Sequence, residues 1–286
     1  MTRRLVLLAA LVLAACGGKK EPAAQPAALR IASQTIDSDA TLWALGPDVQ
    51  SNVVAVSTLA DDARYSPIAD VWPASVPRVS GTSEALIALQ PTLVFLAEWS
   101  DPNARALIEN AVDRVIVLSG YGGFEDYRTR TRMIARAVSA TADGERLIAA
   151  FDQRLAEVRV PSHGTTIVSY GSGNVAGTGT TFSDAAEAAG YVNLPSREGL
   201  AGHAAVSLEQ LVAWQPDAIV VPCEGPCDET QTAFAAKPGV AATPAARSGR
   251  IIAIEGALLF DTGPRMLDVT EALAKRRPQT VEAATP

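Results

Sequence analysis

Residues 84–95 read Glu-Ala-Leu-Ile-Ala-Leu-Gln-Pro-Thr-Leu-Val-Phe, and residues 209–220 read Glu-Gln-Leu-Val-Ala-Trp-Gln-Pro-Asp-Ala-Ile-Val. Glu, Leu, Ala, Gln and Pro recur at matching places, and most other pairs are apolar on both sides. Each copy predicts a helix that begins just after Thr82 or Ser207, ends before a proline, and leads into a buried strand. One unit used twice in this way implies two lobes of the same design.

The strands around the two copies support that reading. Short apolar runs, each followed by turn residues and a helical pattern, fall at Arg30–Ser33, Val53–Val56, Leu93–Leu96 and Val115–Leu118, then at Thr166–Tyr170, Ala218–Val221 and Ile251–Ile254. Near-continuous apolar runs alternating with helices predict parallel strands covered on both faces. Between the halves, Ile134, Ala135 and Val138, then Leu147, Ile148, Phe151 and Leu155, recur at helical spacing. This predicts one long helix or two abutting ones, with Thr141 placed to cap a fresh start. The expected fold is therefore α/β: two Rossmann-like lobes with parallel sheets, 29–122 and 159–286, joined by a helical segment over 123–158. A cleft between such lobes is where small-molecule sites tend to lie.

The first fifteen residues are a different kind of segment. Arg3 and Arg4 precede the apolar run Leu5 to Ala15, and Leu13-Ala-Ala-Cys16 closes it. Eleven apolar residues are too few to cross a hydrocarbon core about 30 Å thick, so the segment reads as a signal peptide. Leu-Ala-Ala-Cys resembles the bacterial lipobox, which implies lipidation of Cys16, a stable membrane anchor and a station on the periplasmic or cell-surface side. Residues 16–28, with Gly-Gly-Lys-Lys-Glu-Pro-Ala-Ala-Gln-Pro after the cysteine, have no apolar periodicity and read as a flexible tether.

The net charge of −7 gives no basic clustering for nucleic acid. Cys223 and Cys227 are the only cysteines besides Cys16, and in an oxidising compartment a local disulfide between them is the expectation; His163 and His203 are too few to complete a zinc set. No Gly-x-Ser-x-Gly elbow and no base–nucleophile motif occurs, so the chain does not read as an enzyme. The Gly-rich stretch Gly171 to Thr181 lacks the Gly-Lys-Ser/Thr ending of a phosphate loop.

The repeat, the connecting helix and the lipobox together resemble one family, the helical-backbone substrate-binding proteins of ATP-driven importers for cobalamin, haem and ferric siderophores. Further pieces of the likeness are Ala44-Leu-Gly46, Val76-Pro-Arg-Val-Ser80, Gly177-Thr-Gly-Thr-Thr-Phe182, Ala189-Gly-Tyr-Val-Asn193 and Gly263-Pro-Arg-Met-Leu267. The stretch Ile36 to Thr41 lacks the proline and glutamate usual there, and Thr92 stands where the family has aspartate. The resemblance implies no cofactor. It implies as partners a permease dimer with its ATPase subunits and a macrocyclic or chelated solute, a cobalamin-like corrinoid first, with a ferric siderophore or haem as alternatives. A sensor or scaffold lipoprotein of the same fold is a third reading. Glu84 and Glu209, the first residues of the two copies, match the glutamates that dock on the permease, although acidic residues also suit a first helical turn by themselves.

For the solute, the aromatic residues at strand ends are the candidates: Tyr65, Trp99, Tyr121, Tyr170 and Phe260. As a set they imply a flat apolar ligand held by face contacts. His203, in the loop Gly199–His203, either ligates a metal of the solute, lines the pocket or is solvated.

Overall fold

The computed structural model describes residues 28–79 and 83–277. Cys16 and the signal segment lie outside the described residues, and among those described no helix is long and apolar enough to cross a membrane.

Strands β1 (Ile31–Ser33), β2 (Val53–Ser57), β3 (Arg78–Val79), β4 (Leu93–Ala97) and β5 (Arg114–Leu118) form one sheet in the order β3-β2-β1-β4-β5, every pair parallel. The apolar runs of the sequence are its centre: all five residues of β4 are buried, as expected for a strand covered on both faces.

The second sheet holds β6 (Thr166–Gly171), β7 (Asn174–Ala176), β8 (Val192–Asn193), β9 (His203–Ala205), β10 (Ala218–Cys223) and β11 (Ile251–Glu255), in the order β11-β10-β6-β7-β9 with β8 beside β6. The three parallel strands expected here are present, and the sheet gains strands that were not expected. β6, β8, β10 and β11 run parallel, but β7 and β9 are antiparallel additions. They come from the Gly-rich stretch and from the loop before the second repeat, neither of which has a strand-like apolar run. Each is only three residues long and partly exposed, so composition hides them.

The repeat is also a repeat in space. Helices Ser83–Ala88 and Leu208–Ala213 precede β4 and β10. Leu86 and Leu211, at matching places, are both completely buried, each worth about 1.5–3 kcal/mol of apolar transfer. Gln90 and Gln215 both take a left-handed backbone, φ 48° and 52°. A left-handed residue followed by proline is a helix stop, because it turns the chain and proline cannot continue the spiral.

The connecting segment is two helices, Phe124–Ala137 and Thr141–Val158, broken at Ser139 with φ 62°. Thr141 opens the second helix but its side chain caps nothing; Ala140 holds the cap position. The two helices fold back on each other, tied by Arg128–Asp152 and Arg132–Glu145. At the crossing any Cβ on Gly144 would come within 2.4 Å of the Ala135 methyl, so only glycine allows the approach. Both helices are fastened to lobe two. The Asp184 carboxylate accepts from the Phe124 N–H at 2.8 Å, capping the first helix from 60 residues away. Burial raises the Asp184 pKa while that N–H bond opposes it. Arg154 on the second helix pairs with Asp268 and Glu271 on helix Met266–Ala274, and Phe151 and Leu155 pack with Met266 and Leu267.

Candidate functional site

A cleft of about 1650 Å³ opens between the lobes. Its walls follow from the topology: open α/β sheets present ligands to the carboxyl ends of their strands. Lobe one supplies helix Ile36–Ala44, through Ile36, Asp37 and Trp43, and the loop after β2, through Arg64, Tyr65 and Ile68. Lobe two supplies the ends of β6, β10 and β11 and the loop from Phe260 to Arg265, while Leu147, Phe151 and Arg154 of the second connecting helix form the back wall.

The cleft is rooted on a buried ion pair. Arg130 is 1% exposed and Asp37 is 7% exposed at the side chain. The guanidinium donates to both Asp37 oxygens, at 3.0 and 3.1 Å, to the Gly120 carbonyl, and to the Thr262 carbonyl of lobe two at 2.7 Å. One side chain thus joins lobe one, the connecting segment and the cleft loop of lobe two. A charge so buried is tolerable because all three of its nitrogens donate, two of them to a carboxylate. Close by, burial pushes the Asp261 carboxyl up to about 6, while the Gly263 N–H, 2.7 Å away, favours its ionised form.

The aromatic candidates separate into two groups. Tyr65, 49% exposed, and Phe260, 55% exposed, line the cleft from opposite lobes, and His203 lines it as well. The Arg64 guanidinium lies 5.3 Å from the Tyr65 ring centre and pairs with Asp62 at 2.7 Å, whose carboxyl it holds below the usual range. His203 stands at the first position of β9 rather than in an open loop, and it is exposed. Three others lie outside the cleft lining. Tyr170 follows Ser169 and precedes Gly171, both of which line the cleft; strand alternation sends it to the other face, into the core beside Phe234 with ring centres 5.9 Å apart. Tyr121 is covered by the Arg130 guanidinium, 4.2 Å from its ring centre, and by Trp99 at 4.5 Å. Trp99 itself is 67% exposed, in a turn where the Ala97 N–H donates to the Ser100 hydroxyl, and it does not line the cleft.

Reading the sequence missed Asp37, Arg64, Arg154 and Arg265. Arg130 and Asp37 are 93 residues apart and leave no local signature. Arg265 had one, since it belongs to the quoted stretch Gly263 to Leu267.

Cys223 and Cys227 are joined by a disulfide across Cα atoms 5.3 Å apart, at the mouth of the cleft where β10 ends. Glu84 and Glu209 are exposed, each in the first turn of its helix; hydrogen bonding with the local backbone and the Ser207 hydroxyl lowers the Glu209 pKa. Among the described residues no three His, Cys, Asp or Glu side chains gather as a metal cage.

The family model described as periplasmic binding protein matches residues 31–258. No curated protein matches the chain. Among solved structures the chain is similar to the periplasmic heme-binding protein RhuT from Roseiflexus sp. RS-1, with 26% identity, 87% of this chain and 97% of that one covered, and a TM-score of 0.66. A periplasmic heme binding protein from Pseudomonas aeruginosa matches at 25% identity over 86% of this chain and 91% of that one, TM-score 0.66. The periplasmic vitamin B12 binding protein BtuF of Vibrio cholerae shares 18% identity over 87% and 98%, TM-score 0.65, a likeness of fold alone.

Proposed function

The chain belongs to the periplasmic binding protein family, and from that premise we propose that it captures a flat metal tetrapyrrole and hands it to an ATP-driven permease, with haem as the solute its cleft suits best. The observation that carries this reading is the pair of exposed rings, Tyr65 and Phe260, lining one cleft from two lobes. At about 1650 Å³ the cleft exceeds the 300–1,000 Å³ of ordinary small-molecule sites, so it suits a macrocycle better than an amino acid or sugar. Covering about 100 Å² of a macrocycle face with such a ring is worth roughly 2.5 kcal/mol.

Haem also needs donors and cations. The Tyr65 phenol and the His203 imidazole are the accessible donors for an axial position of the cargo's iron. Arg64 and Arg265 supply guanidinium groups for its carboxylates. A corrinoid is the second reading: its axial positions are already filled, and the Ser172 and Asn174 side chains on the lobe-two wall suit its amide rim. The two are separated by titrating the purified protein with haemin and with cyanocobalamin, followed by visible absorption. Haemin should saturate one class of site with a shifted Soret band, and Tyr65→Ala should weaken it at least tenfold without changing the melting curve. A cyanocobalamin response in its place selects the corrinoid. No response to either solute removes the tetrapyrrole reading, and an unaltered response in Tyr65→Ala takes Tyr65 out of the site.

The export signal and lipid on Cys16 complete the proposal: an anchored receptor on the outer side of the cytoplasmic membrane or within the periplasm. Glu84 and Glu209 would engage arginines on the two permease subunits. Each contact is partly solvated and modest alone, but a rigid body must satisfy both together, which gives specificity beyond either.

A further inference from the structure

On the outer side of lobe one, away from the cleft, a second hollow of about 540 Å³ lies between β5 and helix Phe124–Ala137. Three arginines line it: Arg114 from the first position of β5, and Arg132 and Arg136 from successive turns of the helix. Ile116, Met133 and Ala137 make its floor. Arg132 pairs with Glu145 at 2.8 Å. Arg114 and Arg136 are exposed and make no ion pair among the described residues, although the chain as a whole carries a net charge of −7.

Each arginine has an ordinary use. A cation on an edge strand discourages pairing with another chain, and one in the last turn of a helix suits its dipole. Neither use requires them to converge, from a strand and a helix, on the same hollow.

Its position supplies the second observation. β1 is paired with β4 and β4 with β5, with Ile31, Leu93 and Arg114 side by side in register. Arg114 is therefore two strand spacings, about 10 Å, from the residue where β1 begins. Leu29 packs into the same cluster as Ile116 and Met133. The described chain thus starts beside the arginine hollow, and the twelve residues 17–28 that precede residue 29 lead back to Cys16.

From these observations we propose that the hollow formed by Arg114, Arg132 and Arg136 is a binding site for the phosphodiester headgroup of an anionic phospholipid, which sets how lobe one rests on the membrane beside its own anchor. The chemistry fits. Guanidinium forks bind phosphate oxygens in pairs, the exposed Thr129 hydroxyl lines the same hollow, and the apolar floor accepts the glycerol and the first methylenes of the acyl chains. The hollow lies in the 300–1,000 Å³ range of sites for single small ligands. The lipid anchor read at Cys16 gives the site its purpose, but the test does not depend on it, nor on the solute in the cleft.

The mature chain made without lipid, beginning at Gly17 and keeping every described element, is sedimented with vesicles of phosphatidylcholine alone and of phosphatidylcholine mixed with phosphatidylglycerol. It should partition to the mixed vesicles only, and less so at high salt. Each basic group at a membrane surface is worth about fivefold in partitioning, so Arg114→Ser/Arg136→Ser should lose about 30-fold while keeping its melting temperature and its cleft titration. Lys19 and Lys20 remain in that variant, so a loss is assigned to the hollow and not to the tether. Equal partitioning of wild type and variant, or no preference for phosphatidylglycerol, overturns the proposal. So does binding of inorganic phosphate or of a polyglutamate peptide, lost in the same variant, without vesicle binding: the hollow would then serve a free anion or an acidic protein.

Discussion

Lobe one and lobe two start from the same helix–strand unit and finish their cleft walls differently. Lobe one keeps an all-parallel sheet and lines the cleft with side chains from a helix and a long loop, rooted by the buried Arg130–Asp37 pair. Lobe two extends its sheet with antiparallel β7 and β9, and a disulfide closes the turn after β10. One wall is held by a buried charge network, the other by backbone pairing and a covalent bridge. A duplicated unit fixes the core and the helix stop, as Leu86 with Leu211 and Gln90 with Gln215 show, while the cleft-facing edges are free to diverge.

The largest test of that contrast is Arg130→Ala. Removing one partner leaves Asp37 buried and unpaired, so the loss should be about 3–5 kcal/mol in urea unfolding. A loss below about 1 kcal/mol would mean that the pair is solvated and roots nothing. The repeated units come next. Leu86→Ala and Leu211→Ala each remove a fully buried side chain and should each cost about 2–5 kcal/mol; only one of the two being costly would break the structural equivalence of the copies.

The acids of the two lobes give a third test. Burial raises Asp39 to about 6, against hydrogen bonds from Ser33 and from the Ser57 hydroxyl and N–H, and burial raises Asp261 to about 6 as well. For each, the folded protein holds its proton more tightly than the unfolded chain. The stabilisation is fully present below the unfolded value near 4 and is lost as the pH rises through 6. Stability should therefore fall between pH 4 and pH 7, with Asp39→Asn and Asp261→Asn each removing about 2 kcal/mol of that fall. Thermal unfolding at the two pH values checks this; a slope unchanged in both variants would show that neither acid titrates there. The smallest effect belongs to the disulfide. It closes so short a loop that chain entropy gives it about 2 kcal/mol at most, so Cys223→Ser/Cys227→Ser should shift the melting temperature a little and loosen the cleft mouth more. Unchanged hydrogen exchange over Pro222 to Asp228 would contradict the second half.

Seven strands and both repeat helices were legible because burial on two faces leaves long apolar runs, which composition reports directly. β3, β7, β8 and β9 are short or half-exposed and leave no such run. The break at Ser139 was half legible: the two apolar groups, Ile134 to Val138 and Leu147 to Leu155, allowed two helices, but nothing local shows that they fold back through Gly144. The close approach of Gly122 to the Gly179 carbonyl, where a Cβ would come within 2.4 Å, depends on a partner more than fifty residues on. The same limit governed the cleft. Tyr65 and Phe260 stand in loops whose place follows from strand ends, so their position at the cleft was legible. Tyr170 lies in the core because one step along a strand exchanges the cleft face for the other side of the sheet. Asp37 and Arg130 were invisible because their pairing is purely tertiary.

The central claim, that a two-lobed receptor delivers its solute by both tips at once, is tested most directly by solute uptake in cells carrying Glu84→Lys/Glu209→Lys. Neither glutamate lines the cleft, so the purified double variant should bind haemin as the wild type does. Each single reversal should reduce uptake and the double reversal should abolish it, because like charges would meet at both permease contacts. Normal uptake by the double variant, with binding intact, would contradict docking through these residues; full uptake by one single variant and none by the other would show that only one lobe docks.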